Sequence, residues 1–148
     1  MNNLISKEVF LPVLEQTLNS GKDFVFTPTG TSMKPMLNGT TDKVTLAKKP
    51  ETLFKYDVVF FKRAKDGALI LHRIVKAENG SFVLSGDNQY YYDFDVKYDD
   101  IFAVVKSFTH NSKNICVDDF SYKLYSRIIL FKKKARIFIS KIYHKIFK

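Results

Sequence analysis

The stretch at residues 57–85, DVVFFKRAKDGALILHRIVKAENGSFVLS, decides how this chain folds. It contains three short runs rich in β-branched and aromatic residues, which favour strands, and turn dipeptides separate the runs. The dipeptides Asp66-Gly67 and Asn79-Gly80 supply residues that tolerate positive φ, as tight hairpins require. The stretch therefore predicts a three-stranded antiparallel meander with His72 in its middle strand.

Further strands are predicted on both sides of the meander, and a helix is predicted at each end of the chain. Residues 6–20 carry apolar side chains at helical spacing, with Gly21 placed to end the helix. Residues 86–100 are rich in Asp, Tyr and Asn and are predicted to form a loop. The predicted strands are residues 24–29, 43–46, 57–63, 69–76, 82–85, 101–109 and 114–117. The chain is thus expected to be mainly β.

Three polar residues stand in locally unusual settings. Ser32 lies in a glycine-led loop directly after the first predicted strand, His72 lies on an apolar strand, and Asp87 lies between Gly86 and Asn88. Taken singly, they fit a turn, a buried histidine and an Asx turn. Taken together, they are the nucleophile, base and orienting acid of acyl transfer. Asp93 is an alternative orienting acid.

Four motifs occur in a fixed order. They are Gly-Thr-Ser-Met-Lys-Pro-Met at 30–36, Tyr-Asp-Val-Val-Phe-Phe at 56–61, Leu-His-Arg-Ile-Val at 71–75 and Leu-Ser-Gly-Asp-Asn-Gln at 84–89. The set resembles the S24/S26 serine peptidases, which include signal peptidases and LexA-type repressors, and the resemblance covers about residues 23–106. His72 stands where bacterial members keep a lysine. The chain is therefore similar to the Ser/His subtype, the endoplasmic-reticulum type of signal peptidase.

The resemblance implies a fold, and the helical spacing at both ends completes a division of the chain. The fold is a coiled antiparallel sheet of the signal-peptidase and LexA type. Residues 1–22 would form an N-terminal helix, 23–120 the peptidase domain, and 121–148 a basic amphipathic C-terminal helix. The implied function is a serine endopeptidase that cleaves an extended, signal-peptide-like segment of a leader or precursor protein.

The resemblance also assigns roles at the site. Ser32 matches the nucleophile and His72 the base, while Asp87 matches the Gly-Asp-Asn box and Asp93 a second acidic position. The family usually has a serine two residues before the nucleophile, where this chain has Gly30. The oxyanion would then need the Ser32 backbone N–H with a threonine hydroxyl as its donors. The expected oxyanion and substrate-binding residues are Thr31, Thr29 and Met33, with a preference for small substrate side chains near the scissile bond.

Other functions compete with this interpretation. A non-catalytic module that binds peptides or proteins on the same scaffold is one, and a repressor-like regulator is another. No cofactor or metal is expected, because the three histidines and one cysteine are scattered. The body is electrically neutral over residues 1–122, with 15 Lys/Arg and 15 Asp/Glu, so no specific nucleic-acid partner is expected.

The tail carries the whole charge excess. Residues 123–148 contain nine Lys/Arg and no acid, and apolar residues recur there at helical spacing. An interfacial helix on an anionic membrane surface accounts for both features, whereas a helix packed on the body accounts for the apolar stripe alone. No stretch of 18 uncharged apolar residues occurs, so the expected location is cytoplasmic, peripheral at the inner face of the membrane. The sequence indicates no oligomeric state.

Overall fold

The computed structural model describes residues 6–146, so the predictions for residues 1–5 and 147–148 lie outside the described part of the chain. An eight-stranded antiparallel sheet forms the body, with one helix before it and one after it. This confirms the mainly β class and both helices. In chain order the elements are α1 (Lys7–Asn19), β1 (Phe24–Phe26), β2 (Val44–Lys48), β3 (Val58–Lys62), β4 (Leu69–Glu78), β5 (Ser81–Ser85), β6 (Asp93–Lys97), β7 (Ile101–His110), β8 (Lys113–Cys116) and α2 (Phe120–Ile146).

The predicted meander is confirmed. The strands β3, β4 and β5 are neighbours in the sheet order β1-β2-β7-β3-β4-β5-β6, and β8 pairs with β7. Asn79 and Gly80, which both have positive φ, connect β4 to β5 as a two-residue turn. The β3–β4 connection is longer, and two backbone hydrogen bonds close it, from Arg63 N–H to the Ala68 carbonyl and from Gly67 N–H to the Arg63 carbonyl. Both hairpins therefore form where the turn dipeptides predict them.

The predicted loop at residues 86–100 is wrong in its second half. This part contains β6 and a short 3-10 helix at Tyr98–Asp100. Val96 of β6 lies opposite Phe82 of β5, and both side chains are buried. The other residues of β6 are mostly charged, so local strand propensity is weak. Pairing with β5 supplies the stability that the composition does not indicate.

The core has two parts, and β3 contributes alternate residues to each. Val58 belongs to the cluster that includes α1 residues, and Val59 belongs to a second cluster that includes β5 and β6 residues. In the register of β3 with β4, Val58 lies opposite Arg73 and Val59 lies opposite His72. His72 and Arg73 therefore point to opposite faces of the sheet, because successive strand residues alternate.

The helix α2 packs on the body through one side of its first half. Its buried residues are Tyr122, Ser126, Leu130 and Lys133, whereas every residue from 138 to 146 is exposed. Within residues 6–146, no helix combines the length and the apolar character that crossing a membrane requires.

Candidate active site

A turn after β1 carries Ser32. Residues 32–36 form this turn, which includes a backbone hydrogen bond of 3.0 Å from Leu37 N–H to the Met33 carbonyl. Gly30 has a φ of +96°, in the left-handed region that favours glycine over residues with a β-carbon. A serine at this position would be strained. The backbone conformation therefore gives a physical reason for glycine where the resembled family has serine.

The second turn, Gly86-Asp87-Asn88, holds Ser32 from the other side. The backbone N–H of Asn88 donates to the Ser32 carbonyl at 2.9 Å, and its side-chain Nδ2 donates to the Thr31 carbonyl at 3.3 Å. A β-carbon at position 86 would lie 2.5 Å from the Ser32 carbonyl oxygen and 3.0 Å from Ser32 Cβ. Only glycine lets the two turns approach this closely. Ser32 and Gly86, which are 54 positions apart in the sequence (86 − 32 = 54), thus come into direct contact.

His72 lies beside Asp93 under the surface of the protein. Its Nδ1 is 2.7 Å from Oδ2 of Asp93, and the histidine is 1 % exposed. A carboxylate only accepts hydrogen bonds, so Nδ1 carries the proton, and Nε2 of the neutral ring is the basic nitrogen. Nε2 is buried and has no hydrogen-bond partner among residues 6–146. Buried polar atoms without a partner are rare in folded proteins, and a catalytic role is one explanation for such an atom; the other one among these residues is Oε1 of Gln89.

The environment keeps His72 neutral. Burial lowers the pKa of His72 below its ordinary value, and Asp93 opposes this effect through its hydrogen bond and its charge. The cations Arg63 and Lys133 lower the pKa further. The net direction is downward, so the imidazole is unprotonated at neutral pH. A general base needs this protonation state to accept a proton.

Asp87 contacts Arg73 and not His72. Its carboxylate receives two hydrogen bonds from Arg73, at 2.8 Å from Nε and 2.7 Å from Nη2, and one of 3.0 Å from the Tyr125 hydroxyl. Burial disfavours the charge on Arg73, but the hydrogen bonds and charge of Asp87 outweigh it and raise the Arg73 pKa. The structure thus pairs Asp87 with Arg73 instead of His72. Of the two candidate aspartates, Asp93 is the one that contacts the histidine.

Lys133 is a further site residue, which the sequence interpretation missed. It comes from α2, is buried, and donates to Ser85 Oγ and to the Gly86 carbonyl, each at 2.5 Å. Burial lowers the pKa of Lys133 to about 8, against the attraction of Asp87. The sequence contains one indication of this role, because on a helical wheel Lys133 lies opposite the apolar stripe. Lys133 therefore links α2 directly to the turn that contacts Ser32.

A cavity of about 660 Å³ lies between α1, the turn after β1 and the start of β4. Ser32 and His72 both line it, as do Thr29 and Met33, whereas Thr31 is exposed and is not one of the lining residues. The wall is mostly apolar, with contributions from Phe10, Phe26, Leu37, Phe60, Leu69, Ile70 and Leu71. An apolar cavity with a few convergent polar groups is the usual form of a binding site.

The site offers no set of metal ligands. Across the described range 6–146, no group of three or more His, Cys, Asp or Glu side chains could hold a metal ion. The polar residues that line the cavity include Ser32 and His72, with Asp93 behind the histidine, together with Lys7, Arg63 and Gln89. This combination suits proton transfer and nucleophilic attack.

Comparison with known proteins adds no family to this description. No protein-family model, no curated protein and no solved structure gives a match to the chain. The fold and the site by themselves define an antiparallel β protein with a serine and an Asp-supported histidine on one cavity wall.

Proposed function

We propose that this protein is a serine endopeptidase of the S24/S26 type, in the Ser/His subtype. The observation that carries the proposal is the state of His72: Nδ1 is bound to Asp93, Nε2 has no partner, and the ring lines the same cavity as Ser32. The ordered motifs and the antiparallel sheet support the same class. In this proposal, the sheet is of the signal-peptidase and LexA type.

The proposed reaction is acyl transfer to Ser32. Nε2 of His72 accepts the Ser32 hydroxyl proton while Oγ attacks the peptide carbonyl, and Asp93 stabilises the imidazolium without taking the proton. The tetrahedral intermediate then collapses, and the imidazolium gives its proton to the departing amine. Water attacks the acyl-enzyme in the same way, with His72 again as base. The products are two peptides, and Ser32 regains its proton.

The oxyanion needs donors on the same wall. The Ser32 backbone N–H is one, and Thr29, which lines the cavity, supplies a hydroxyl for the second. Thr31 is a poorer choice because it lies outside the cavity wall. Gly30 has no side chain to contribute, so in this proposal the second donor is the Thr29 hydroxyl.

The substrate is proposed to be an extended peptide that adds to β4. The β4 residues Leu69–Arg73 pair with β3 on one side, while the pairing with β5 begins only at Arg73. The other edge of residues 69–72 therefore has no paired strand within residues 6–146. A peptide there would use backbone hydrogen bonds for affinity and its alternate side chains for specificity. Met33 and Ile70 line the apolar wall that such side chains would meet.

Mapping of cleavage products tests the proposal. Purified protein is incubated with a proteome-derived peptide library, and new N-termini are identified by mass spectrometry. The wild type should produce termini with small residues before the cut. Ser32→Ala and His72→Ala should each lower their yield by about 10³-fold or more, because removing either group disables the nucleophile.

Ser140→Ala is the matched control. Ser140 is exposed on α2, away from the cavity, so the same chemical change should leave the yield as in the wild type. If the wild type produces no termini that depend on Ser32, the peptidase proposal fails. Binding of library peptides without cleavage would then assign the cavity to a non-catalytic peptide-binding module.

A further inference from the structure

The apolar stripe of α2 faces away from the body. Its members are exposed, at 73 % for Phe131 and 65 % for Phe138. We call these residues the outer face: Phe120, Leu124, Ile128, Phe131, Phe138, Ile139, Ile142 and Ile146. At about 100° per residue they fall within an arc of roughly 100°. Isolated exposed apolar residues are ordinary, but a continuous stripe of this length marks an interaction surface.

The body takes the opposite side of the same helix. Tyr122, Ser126 and Lys133 are buried there, and on the helical wheel they lie about 150–190° from the middle of the outer face. This side is occupied by specific polar contacts, since Arg73 donates to both Tyr122 and Ser126. The outer face therefore cannot turn toward the body without breaking these hydrogen bonds.

Cations border the outer face along its length. Arg127, Lys134, Lys141 and Lys145 follow one edge, and Lys132 and Arg136 follow the other. Residues 120–146 contain no Asp or Glu. The helix is 27 residues long, which corresponds to about 40 Å, so the stripe and its cations extend well beyond the part that touches the body.

We infer that the outer face of α2 docks on an anionic membrane leaflet as an interfacial helix. Its apolar side chains would enter the boundary between headgroups and acyl chains, while the bordering lysines and arginines attract acidic headgroups. The cytoplasmic leaflet carries such lipids, which agrees with the peripheral inner-face location expected from the sequence. The inference concerns binding alone and does not depend on the peptidase activity.

The positive charge of α2 favours an anionic membrane over two other partners for the outer face, a second copy of the chain and a nucleic acid. A second copy of the chain, packed stripe to stripe, would bring two rows of cations together without any acidic residue on either helix to compensate them. A nucleic acid would satisfy the cations but would leave the apolar stripe in water. An anionic bilayer satisfies both features at once, because apolar burial and electrostatic attraction add.

Vesicle flotation with the full chain tests the inference. The two probes are vesicles of phosphatidylcholine alone and vesicles of phosphatidylcholine mixed with phosphatidylglycerol. The wild type should float with the anionic vesicles only, and less so as salt is added. Phe131→Ser/Phe138→Ser should lower the partition coefficient at least about tenfold, because both rings lose their apolar burial.

The control is Phe54→Ser/Phe94→Ser, which removes rings of similar exposure, 65 % and 71 %, from the body. This control should float like the wild type, and both variants should keep the wild-type melting temperature. No flotation of the wild type, or equal flotation of the stripe variant and the wild type, would overturn the inference. A solution dimer that the stripe variant converts to a monomer, without lipid binding, would assign the outer face to a second copy instead.

Discussion

His72 and Arg73 are consecutive residues of β4, and each pairs with an aspartate, but the two pairs differ in what they leave unsatisfied. The His72–Asp93 pair borders the cavity, and Nε2 of His72 has no partner among residues 6–146. The Arg73–Asp87 pair lies under α2 on the opposite face of the sheet. There Arg73 also donates to the Tyr56 carbonyl and to two α2 side chains, those of Tyr122 and Ser126.

This difference separates a reactive pair from a structural one. A buried polar group normally has its hydrogen bonds complete, and the ion pair under α2 follows this rule. His72 is the exception, because its Nε2 has no partner among residues 6–146 and its ring lines the same cavity as Ser32. Substitutions in the first pair should therefore change chemistry, and substitutions in the second should change folding.

The largest expected effect comes from Asp93→Asn. The amide can bind Nδ1 through its NH₂ group, which would favour the wrong tautomer, and it cannot stabilise an imidazolium. Cleavage of a peptide identified in the library experiment should fall by on the order of 10³–10⁴-fold in kcat. The melting temperature should stay close to that of the wild type, because the two side chains have nearly the same shape.

A kinetic readout distinguishes this role from a loss of packing. The loss should appear in kcat more than in KM, since Asp93 acts on the histidine and not on the peptide. An Asp93→Asn enzyme with undiminished kcat would contradict the assignment of His72–Asp93 as the reactive pair, because Asp93 would then have no role in the chemistry.

The sequence predicted the meander because its alternation and turn dipeptides act locally. The strands β3 to β5 and their hairpins depend on residues within 57–85, so no distant partner was needed. β6 was missed because Asp93, Asp95 and Lys97 are poor strand formers, and the strand exists through its pairing with β5. Asp93 belongs to β6, so a prediction that treats this segment as a loop cannot tell which way the Asp93 side chain points.

The sequence identified both aspartates but could not assign their partners. The distinction depends on which face of the sheet each aspartate reaches, which is a tertiary property. Lys133 was missed for a related reason. An apolar stripe ordinarily packs inward, but here the opposite side of α2 packs because Arg73 and the Gly86 carbonyl supply matching polar groups there.

The second expected effect is on stability, from Asp87→Asn. This change leaves the Arg73 charge buried without its counter-ion, which costs about 3–5 kcal/mol when a buried pair is broken. Urea unfolding should show the loss as a lower midpoint. Activity per folded molecule should fall much less than in Asp93→Asn, because Asp87 does not touch the histidine in this structure.

The control for this change is Asp66→Asn. Asp66 also pairs with an arginine, at 2.6 Å from Nη2 of Arg63, but it is exposed to solvent. Solvent screens this pair, although it is bidentate and Asp66 also accepts from the Ala68 N–H, so the unfolding midpoint should fall less than in Asp87→Asn. Equal losses in the two variants would show that the buried ion pair has no special role under α2.

The smallest expected effect is a shift in the pH profile, from Lys133→Met. Activity requires neutral His72, so the rate falls as the pH drops through the His72 pKa, and this fall is the acid limb of the pH profile. Because burial lowers the His72 pKa, the acid limb lies below 6.5, the ordinary pKa of a histidine. Removing the Lys133 charge removes one of the influences that lower this pKa, so the acid limb should move to higher pH. Lys134→Met, an exposed neighbour, should leave the limb in place. A limb that stays fixed in Lys133→Met, or that moves to lower pH, would contradict a pKa-lowering influence of Lys133 on His72.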